Sequence, residues 1–490
     1  STFGFIEEFI AAGGNLIAFA LPDRVDGIKT TAIKDLFQKY SDRINLPDSL
    51  DISILKEMPG SNNFSFITLS GGDVYHHRRE LTDGRLVFLA NSSLEEASAG
   101  IFMITGCDAL EMNTLTGKVV NYRETENGDK IVINFDLPPA GSLLLFVSDR
   151  KMTGYDLPEK FLNLSPLPSA SDISVRRDKP NVLTIDFCDL ILGNETFRNL
   201  HTYAATDKTF KYHGFINGNP WSTSVQFRTE TVDCDTFGLN TGFTSVWHFK
   251  TEGEPDLSDA RLVIERPWLW KVMINGNKVT AEAGKWWFDK DFGVYKCNSY
   301  IRNGENTITV SSEQMSIHAE IEPIYILGNF SLKSAARGWI ITPPPSGYTT
   351  GSWKEQGMPF YPDRISYTKE FEVTGEYDNY LLKLGNWKGT IAEVIVNGNS
   401  AGVIAYPPYS LDISDHLSTG RNTIEVKIVG SNKNLLGPFH SKARPGLAAP
   451  GYWRGVTGYP RGDEYNITDY GLMDDFYLFA EKNTSQDLHE

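Results

Sequence analysis

Apolar and polar residues alternate along most of this chain, and in two places the alternation recurs with the same punctuation. Trp270 to Val310 carries WKVMINGNKV and then NSYIRNGENTITV; Ala392 to Ile428 carries AEVIVNGNSAG and then YSLDISDHLSTGRNTIEVKI. Each stretch holds an alternating strand, an Asn-Gly turn, an aromatic-rich middle, and a Gly-x-Asn-Thr-Ile turn into a second alternating strand. A period of two marks a half-buried strand. Asn-Gly accepts the positive φ that a two-residue hairpin demands at both turn positions, as at Asn397-Gly398 after Val394, Ile395 and Val396. The repeat therefore predicts two β-sandwiches built on one plan.

The first hundred residues have a different texture. Phe5, Ile6, Phe9 and Ile10 form a helical stripe, Gly13-Gly14 ends it, and Leu16–Ala20 reads as a short buried strand. Ala32–Tyr40 predicts a second helix, and Ser65–Leu69 and Arg85–Ala90 predict strands. From Gly100 to Asp149 the pattern is β throughout, predicting a small antiparallel cap. Leu157–Ser171, with its Pro and Ser residues, reads as a linker, and Ile341–Glu355 as an extended surface loop. The expected fold is mainly β and multidomain: a truncated α/β domain over 1–105, a small β cap over 106–156, a first sandwich over 157–327 and a second over 328–490. A helix running straight into a strand at the first residues suits the middle of a fold, so an N-terminus cut inside a longer protein is expected.

Composition narrows the partners. With 490 residues, about three domains are expected. The formal net charge is −16, from 46 basic and 62 acidic residues, and no basic stripe interrupts it. Nucleic acid and anionic membrane surfaces both need clustered Lys and Arg, so neither is expected as a partner. Nothing reads as a signal peptide or a transmembrane span. The four Cys, at 107, 188, 234 and 297, show no CxxC spacing and no His at ligand intervals, so no metal site is expected. Free buried thiols are the simpler reading, with a Cys188–Cys234 pair left open.

Several blocks carry a resemblance. VYHHRRELTDGRLVFLANSS (74–93), LEMNTLTGKV (110–119) and INFDLPPAGSLLLFV (133–147) resemble the region after the catalytic barrel of family 106 glycoside hydrolases, which are α-L-rhamnosidases. IYILGNFSL (324–332), GSWKEQGMPFYPDRISYTKEF (351–371) and NLLGPFHSK (434–442) resemble their C-terminal sandwiches, which are related to the sugar-binding domain of family 2 enzymes. The resemblance implies two jelly-roll, galactose-binding-like sandwiches, carbohydrate as partner, a catalytic barrel upstream of this chain, and a periplasmic or extracellular setting. It departs at Glu111-Met112-Asn113, where the family tends to have Trp-Asp-Pro. GGNLIAFALP near the start is also similar to amidotransferase-like α/β folds, although Cys107 lacks the flanks of a catalytic nucleophile.

Chemistry on this chain is harder to find. A glycosidase needs two carboxyl groups across a sugar-sized gap, one held protonated and one ionised. None of the 62 acidic residues is marked by sequence as such a group, so the catalytic residues stay unassigned. The candidates for carbohydrate binding are aromatic: Trp287, Trp353, Tyr361, Trp387, Tyr406 and Tyr409, whose flat faces could stack on pyranose rings if exposed. Most Trp are partly buried for packing, which is the competing reading. Of Trp286 and Trp287, adjacent on a strand, one must face outward. Asn434 and His440, in the loop NKNLLGPFH, are the polar candidates, facing either a sugar or the upstream barrel; a loop held by its own Asn bonds is the alternative. His76-His77-Arg78-Arg79 is read as a strand edge, either substrate-facing or paired with nearby acids. No cofactor is required, and such sandwiches permit a structural calcium ion. The resulting expectation is the non-barrel part of a glycoside hydrolase serving in domain packing and glycan binding. A carbohydrate-binding or scaffold protein without chemistry is the alternative, and hydrolysis by acids of the sandwich loops a third reading.

Overall fold

The computed structural model describes residues 2–49, 64–156, 161, 163–375, 377, 379–441, 450–453, 456 and 458–481. The chain divides into two compact units, 1–160 and 161–490.

The first unit begins with the two expected helices, Thr2–Ala11 and Ala32–Lys39, and a parallel pair formed by Leu16–Ile17 and Ile44–Asn45. The expected cap belongs to a larger body. Val74–Glu80 and Gly84–Asn91 hydrogen-bond into one sheet with Asp108–Met112 and Ser142–Ser148, while Phe64–Thr68 and Ser98–Thr105 join Lys130–Leu137 in a second. Inward positions alternate with outward ones, so Val87, Leu89, Phe102, Ile104, Ile131, Ile133, Leu145 and Val147 form one core between the sheets. The chain segments on either side of residue 105 are thus halves of one sandwich. His76 lies against the Phe64 ring with centroids 4.7 Å apart, and the Arg78 guanidinium sits 4.4 Å above the same ring. His76 and Arg78 of the basic cluster therefore pack on an aromatic ring.

The second unit holds two sandwiches. In the first, Asn181–Ile185, Ile324–Gly328, Arg261–Glu265, Asp289–Lys296 and Trp286–Trp287 make one sheet. Glu195–His201, Phe187–Leu192, Thr244–Thr251, Gly304–Ser311, Lys271–Ile274 and Asn277–Val279 make the other. The hairpin Ser331–Ser334 with Trp339–Thr342 extends that second sheet through a parallel pairing of Lys250 and Thr251 with Ile340 and Ile341. In the second sandwich, Ser174–Arg177, Arg364–Val373, Gly420–Val429, Ile391–Val396 and Asn399–Ile404 face Leu164–Leu167, Phe476–Glu481, Asn379–Leu384 and Ser410–Asp412. Residues 157–160 and 162 of the expected linker lie outside the described residues. Its remainder is partly strand: Leu164–Leu167 pairs with Phe476–Glu481, and Ser174–Arg177 pairs with Arg364–Val373. The second sandwich thus takes strands from both sides of the first.

The duplicated motif has a polar explanation. Both Asn-Gly turns are left-handed at both positions, with φ of 49° and 81° at Asn275-Gly276 and of 51° and 81° at Asn397-Gly398. In the first sandwich Asn275 Nδ2 donates to Asn306 Oδ1 (2.8 Å), Thr307 N donates to Asn275 Oδ1 (2.9 Å), and Asn306 Nδ2 donates to the carbonyls of Arg302 and Gly304 (2.8 and 3.0 Å). The second sandwich repeats this atom for atom: Asn397 Nδ2 to Asn422 Oδ1 (2.8 Å), Thr423 N to Asn397 Oδ1 (2.9 Å), and Asn422 Nδ2 to the carbonyls of Ser418 and Gly420 (2.6 and 2.9 Å). Asn306 and Asn422 are 1% and 0% exposed. A buried amide whose donors and acceptor are all used pins the hairpin turn to the strand beside it. Asn422→Ala is expected to lower stability by about 1–3 kcal/mol, because buried groups then lack partners. Denaturant unfolding would read this, and a loss below a few tenths of a kcal/mol would remove the locking role.

Candidate functional site

The sequence candidates scatter on folding. Trp353 and Tyr361, read as sugar platforms, are both 1% exposed. The Trp353 indole N–H donates to Tyr367 Oη (2.9 Å), and Tyr361 Oη donates to the Arg364 carbonyl (2.8 Å) while accepting from Lys179 N (3.1 Å). Core packing claims their ring faces. Trp287 is half-buried against Tyr325, with ring centroids 5.4 Å apart, and the outward ring of that pair is Trp286. Trp387 is half-buried and meets Tyr409 edge-on at 5.3 Å; Tyr406 and Tyr409 keep exposed faces. Asn434 is buried, its amide donating to the Thr468 carbonyl (2.8 Å) and accepting from Thr468 N (2.9 Å), so it staples two segments together.

His440 alone of the candidates enters a cluster of ionisable groups, and its partner had no local signal. Asp186 lies where the chain crosses from one sheet of the first sandwich to the other, between Asn181–Ile185 and Phe187–Leu192. Its Oδ2 is 2.6 Å from His440 Nε2 and 3.5 Å from His201 Nε2, and Tyr465 Oη donates to its Oδ1 at 2.8 Å. His201 ends the strand Glu195–His201 and caps the helix Thr202–Tyr212, where its Nδ1 accepts from Tyr203 N at 3.3 Å. Phe187 meets both imidazoles edge-on at 5.3 Å and stacks on Tyr459 at 4.2 Å. Burial alone would raise the Asp186 carboxyl, but the hydrogen bonds from His201 and His440 outweigh it and hold the group well below the usual carboxylate range. Burial, reinforced by the Asp186 charge, lifts the Tyr465 phenol far above its ordinary value and keeps it a donor.

Two imidazoles and a carboxylate within 4.8 Å of one another invite a metal ion. The hydrogen bonding does not fit one. Because His201 Nδ1 accepts a backbone N–H, the ring's proton sits on Nε2, the atom a metal would need bare. The cluster is instead an anion held by three donors. It joins two segments of the first sandwich to two segments lying between the strands Gly420–Val429 and Phe476–Glu481 of the second.

Two depressions flank this cluster. One is a cavity of about 300 Å³ whose lining includes His201, Tyr203, Asn219, Trp221, Phe292, Tyr325 and Trp453 together with Glu265, Glu320 and Glu322. Arg266 organises the acids. Its φ of 52°, uncommon for a residue with a side chain, accompanies a guanidinium placed 3.3 Å from Glu265 Oε1 and 3.1 Å from Glu320 Oε2. Asn219 Nδ2 also donates to Glu320 Oε1 (2.8 Å), and the Trp221 indole is fixed by its bond to the Ile317 carbonyl (2.7 Å). Among the described residues Glu322 forms no ion pair, although the Arg266 charge lowers its carboxyl somewhat. Burial, then the charges of Glu320 and Glu265, push its carboxyl up to about 8, so it is protonated at neutral pH. Burial likewise raises Glu265. A protonated acid beside an arginine-paired one gives the cavity both a donor and an acceptor. Glu320-Ile321-Glu322, two acids in alternation ahead of Pro323, was the local hint of a shared face. The other depression, of about 590 Å³, is bordered by Phe187, Asp189, Arg198, His248, Lys250, Arg337 and Tyr459 among others.

No family model matches the chain. A stretch of it is 35% identical over 92 residues to a Formosa agariphila protein named "Putative beta-glucuronidase", covering 17% of the chain and 8% of that protein. Among solved structures, the rhamnosidase from Novosphingobium sp. PP1Y is similar over 97% of the chain and 32% of its own length, at 15% identity and a TM-score of 0.42. The α-L-rhamnosidase of Streptomyces avermitilis, solved with L-rhamnose, is similar over 75% of the chain and 36% of its own, at 9% identity and a TM-score of 0.23. The chain therefore spans about a third of those two enzymes and less than a tenth of the curated relative. Among the described residues no helix is long and apolar enough to cross a membrane.

Proposed function

We propose that this chain is the non-barrel part of a glycoside hydrolase of the α-L-rhamnosidase kind, working in the periplasm or outside the cell, and that it binds carbohydrate beside a catalytic barrel carried elsewhere. The observation that carries the reading is the cavity of about 300 Å³ edged by Glu322, Glu320, Asn219, Trp221 and Trp453. Sugar recognition calls for aromatic surface toward the C–H faces of a pyranose and fixed polar groups toward its hydroxyls. Both are present there. Duplicated sandwiches and the relative named as a glucuronidase support the same direction.

Titration of the full chain with a panel of neutral mono- and oligosaccharides, L-rhamnose included, tests it. Glu322→Gln keeps the shape but changes the hydroxyl partner, and Trp453→Ala removes an aromatic wall. Each is expected to weaken binding about tenfold, equivalent to about 1.4 kcal/mol. Binding that survives both variants unchanged would discard this cavity as the sugar site, and absence of any binding would favour a scaffold.

One observation favours a second reading. A protonated Glu322 beside the arginine-paired Glu320 is the charge division that glycoside hydrolysis uses. If the chain itself cleaves glycosides, aryl glycosides release phenol with wild type and not with Glu322→Gln.

A further inference from the structure

The second depression differs from the first in charge. Arg198 and Asn199 reach it from the strand Glu195–His201, His248 and Lys250 from Thr244–Thr251, and Arg337 from the turn between Ser331–Ser334 and Trp339–Thr342. His248 and Lys250, two apart on one strand, share a face. The parallel pairing of Lys250 with Ile340 brings the Arg337 turn alongside them.

Its anions do not balance these cations. Asp189 is fully engaged: Arg198 Nη1 and His248 Nε2 each lie 3.1 Å from Oδ2, and Asn199 N donates to Oδ1 at 2.8 Å. Glu305, exposed at the border, stands directly opposite Lys250 across the antiparallel pair. Among the described residues neither Lys250 nor Arg337 forms an ion pair; Arg337 Nη1 reaches the neutral Asn199 Oδ1 at 3.4 Å. Arg198, Lys250 and Arg337 against Asp189 and Glu305 leave a cationic concavity in a chain of net charge −16. Tyr459, half-buried and stacked at 4.2 Å on the buried Phe187, supplies an apolar ring next to them. A volume of about 590 Å³ falls within the range of small-ligand sites.

We infer that this cleft binds an acidic sugar residue, one bearing a carboxylate or a sulfate ester, with the anion between Arg337 and Lys250 and the ring against Tyr459. Guanidinium and ammonium groups pair with either oxyanion, the guanidinium in a bidentate way. The inference rests on the reading that the chain handles carbohydrate. It adds a charge preference at a place separate from the neutral-sugar cavity.

The test titrates the full chain with methyl glucuronide, glucose 6-sulfate and methyl glucoside by calorimetry at low and high salt. Wild type is expected to bind at least one acidic ligand tenfold or more tightly than the glucoside, and to lose part of that margin as salt screens the cations. The paired variant Arg337→Ala/Lys250→Ala should abolish the margin. Lys278→Ala/Lys290→Ala, which removes the same charge from exposed positions elsewhere, should leave it intact. A margin for the glucuronide alone or the sulfate alone identifies the oxyanion. Equal binding of acidic and neutral ligands, or equal loss in both paired variants, overturns this inference while leaving the carbohydrate reading standing. Binding of no sugar at all overturns both.

Discussion

Asp186→Ala is expected to lower the stability of the 161–490 unit by about 3–5 kcal/mol, the cost of breaking a buried charged cluster by removing one partner. Three buried donors, His201 Nε2, His440 Nε2 and Tyr465 Oη, converge on that carboxylate and would lose their acceptor together. Phe187 and Tyr459 close one side of them. Asp186→Asn retains one acceptor and loses the charge, so its cost should be smaller. The pH dependence follows from the same contacts. Asp186 is held below the usual carboxylate pKa of about 4 in the fold, so between the two values the unfolded chain binds more protons. Its stabilisation is therefore complete above about pH 4 and is lost as the pH falls through the folded value. Urea unfolding across pH 2–6 should show a slope in wild type that Asp186→Asn lacks. A shift under 1 kcal/mol for Asp186→Ala, or identical slopes, would mean that the cluster does not join these segments.

Trp353→Ala should cost a comparable amount, about 3–5 kcal/mol for a buried Trp. The indole fills a space shaped for it: a Cβ at Gly430 would come within 2.9 Å of its Cζ3, and one at Gly471 within 2.8 Å of its Nε1. Tyr361 and Tyr470 pack at centroid distances of 5.8 and 6.0 Å, and Tyr367 Oη accepts the indole hydrogen bond. Such a close fit leaves a cavity on truncation rather than a collapse. Trp353→Phe, which keeps most of the apolar volume but not the N–H, should fall between. Thermal and denaturant unfolding would rank the three. A Trp353→Ala protein as stable as wild type yet unable to bind sugar would restore the platform role that burial argues against.

Much of the local architecture was legible along the chain. Alternation located the strands, and the recurrence of Asn-Gly with Gly-x-Asn-Thr-Ile identified paired hairpins whose amide networks match bond for bond. Adjacent Trp286 and Trp287 announced one outward ring, and the structure assigns it to Trp286. These signals survive in sequence because their physics acts over a few residues: strand pleat, turn φ, and a side chain bonding to the neighbouring backbone.

The site belongs to tertiary structure. Asp186 and His440 lie 254 positions apart, and no spacing rule spans that distance. Glu322 is unremarkable as a letter; only packing beside Glu320 and Glu265 removes enough water to keep it protonated. Whether a Trp offers its face to solvent is likewise settled by what the rest of the chain places over it, which is why Trp353 and Tyr361 left the surface while Tyr406 and Tyr409 stayed. Composition, strand pattern and turn chemistry determine that this protein is a set of β-sandwiches with a strongly acidic charge. Convergence in space decides which acids, imidazoles and cations meet, because charge, burial and cavity shape are properties of neighbours that the chain brings together only on folding.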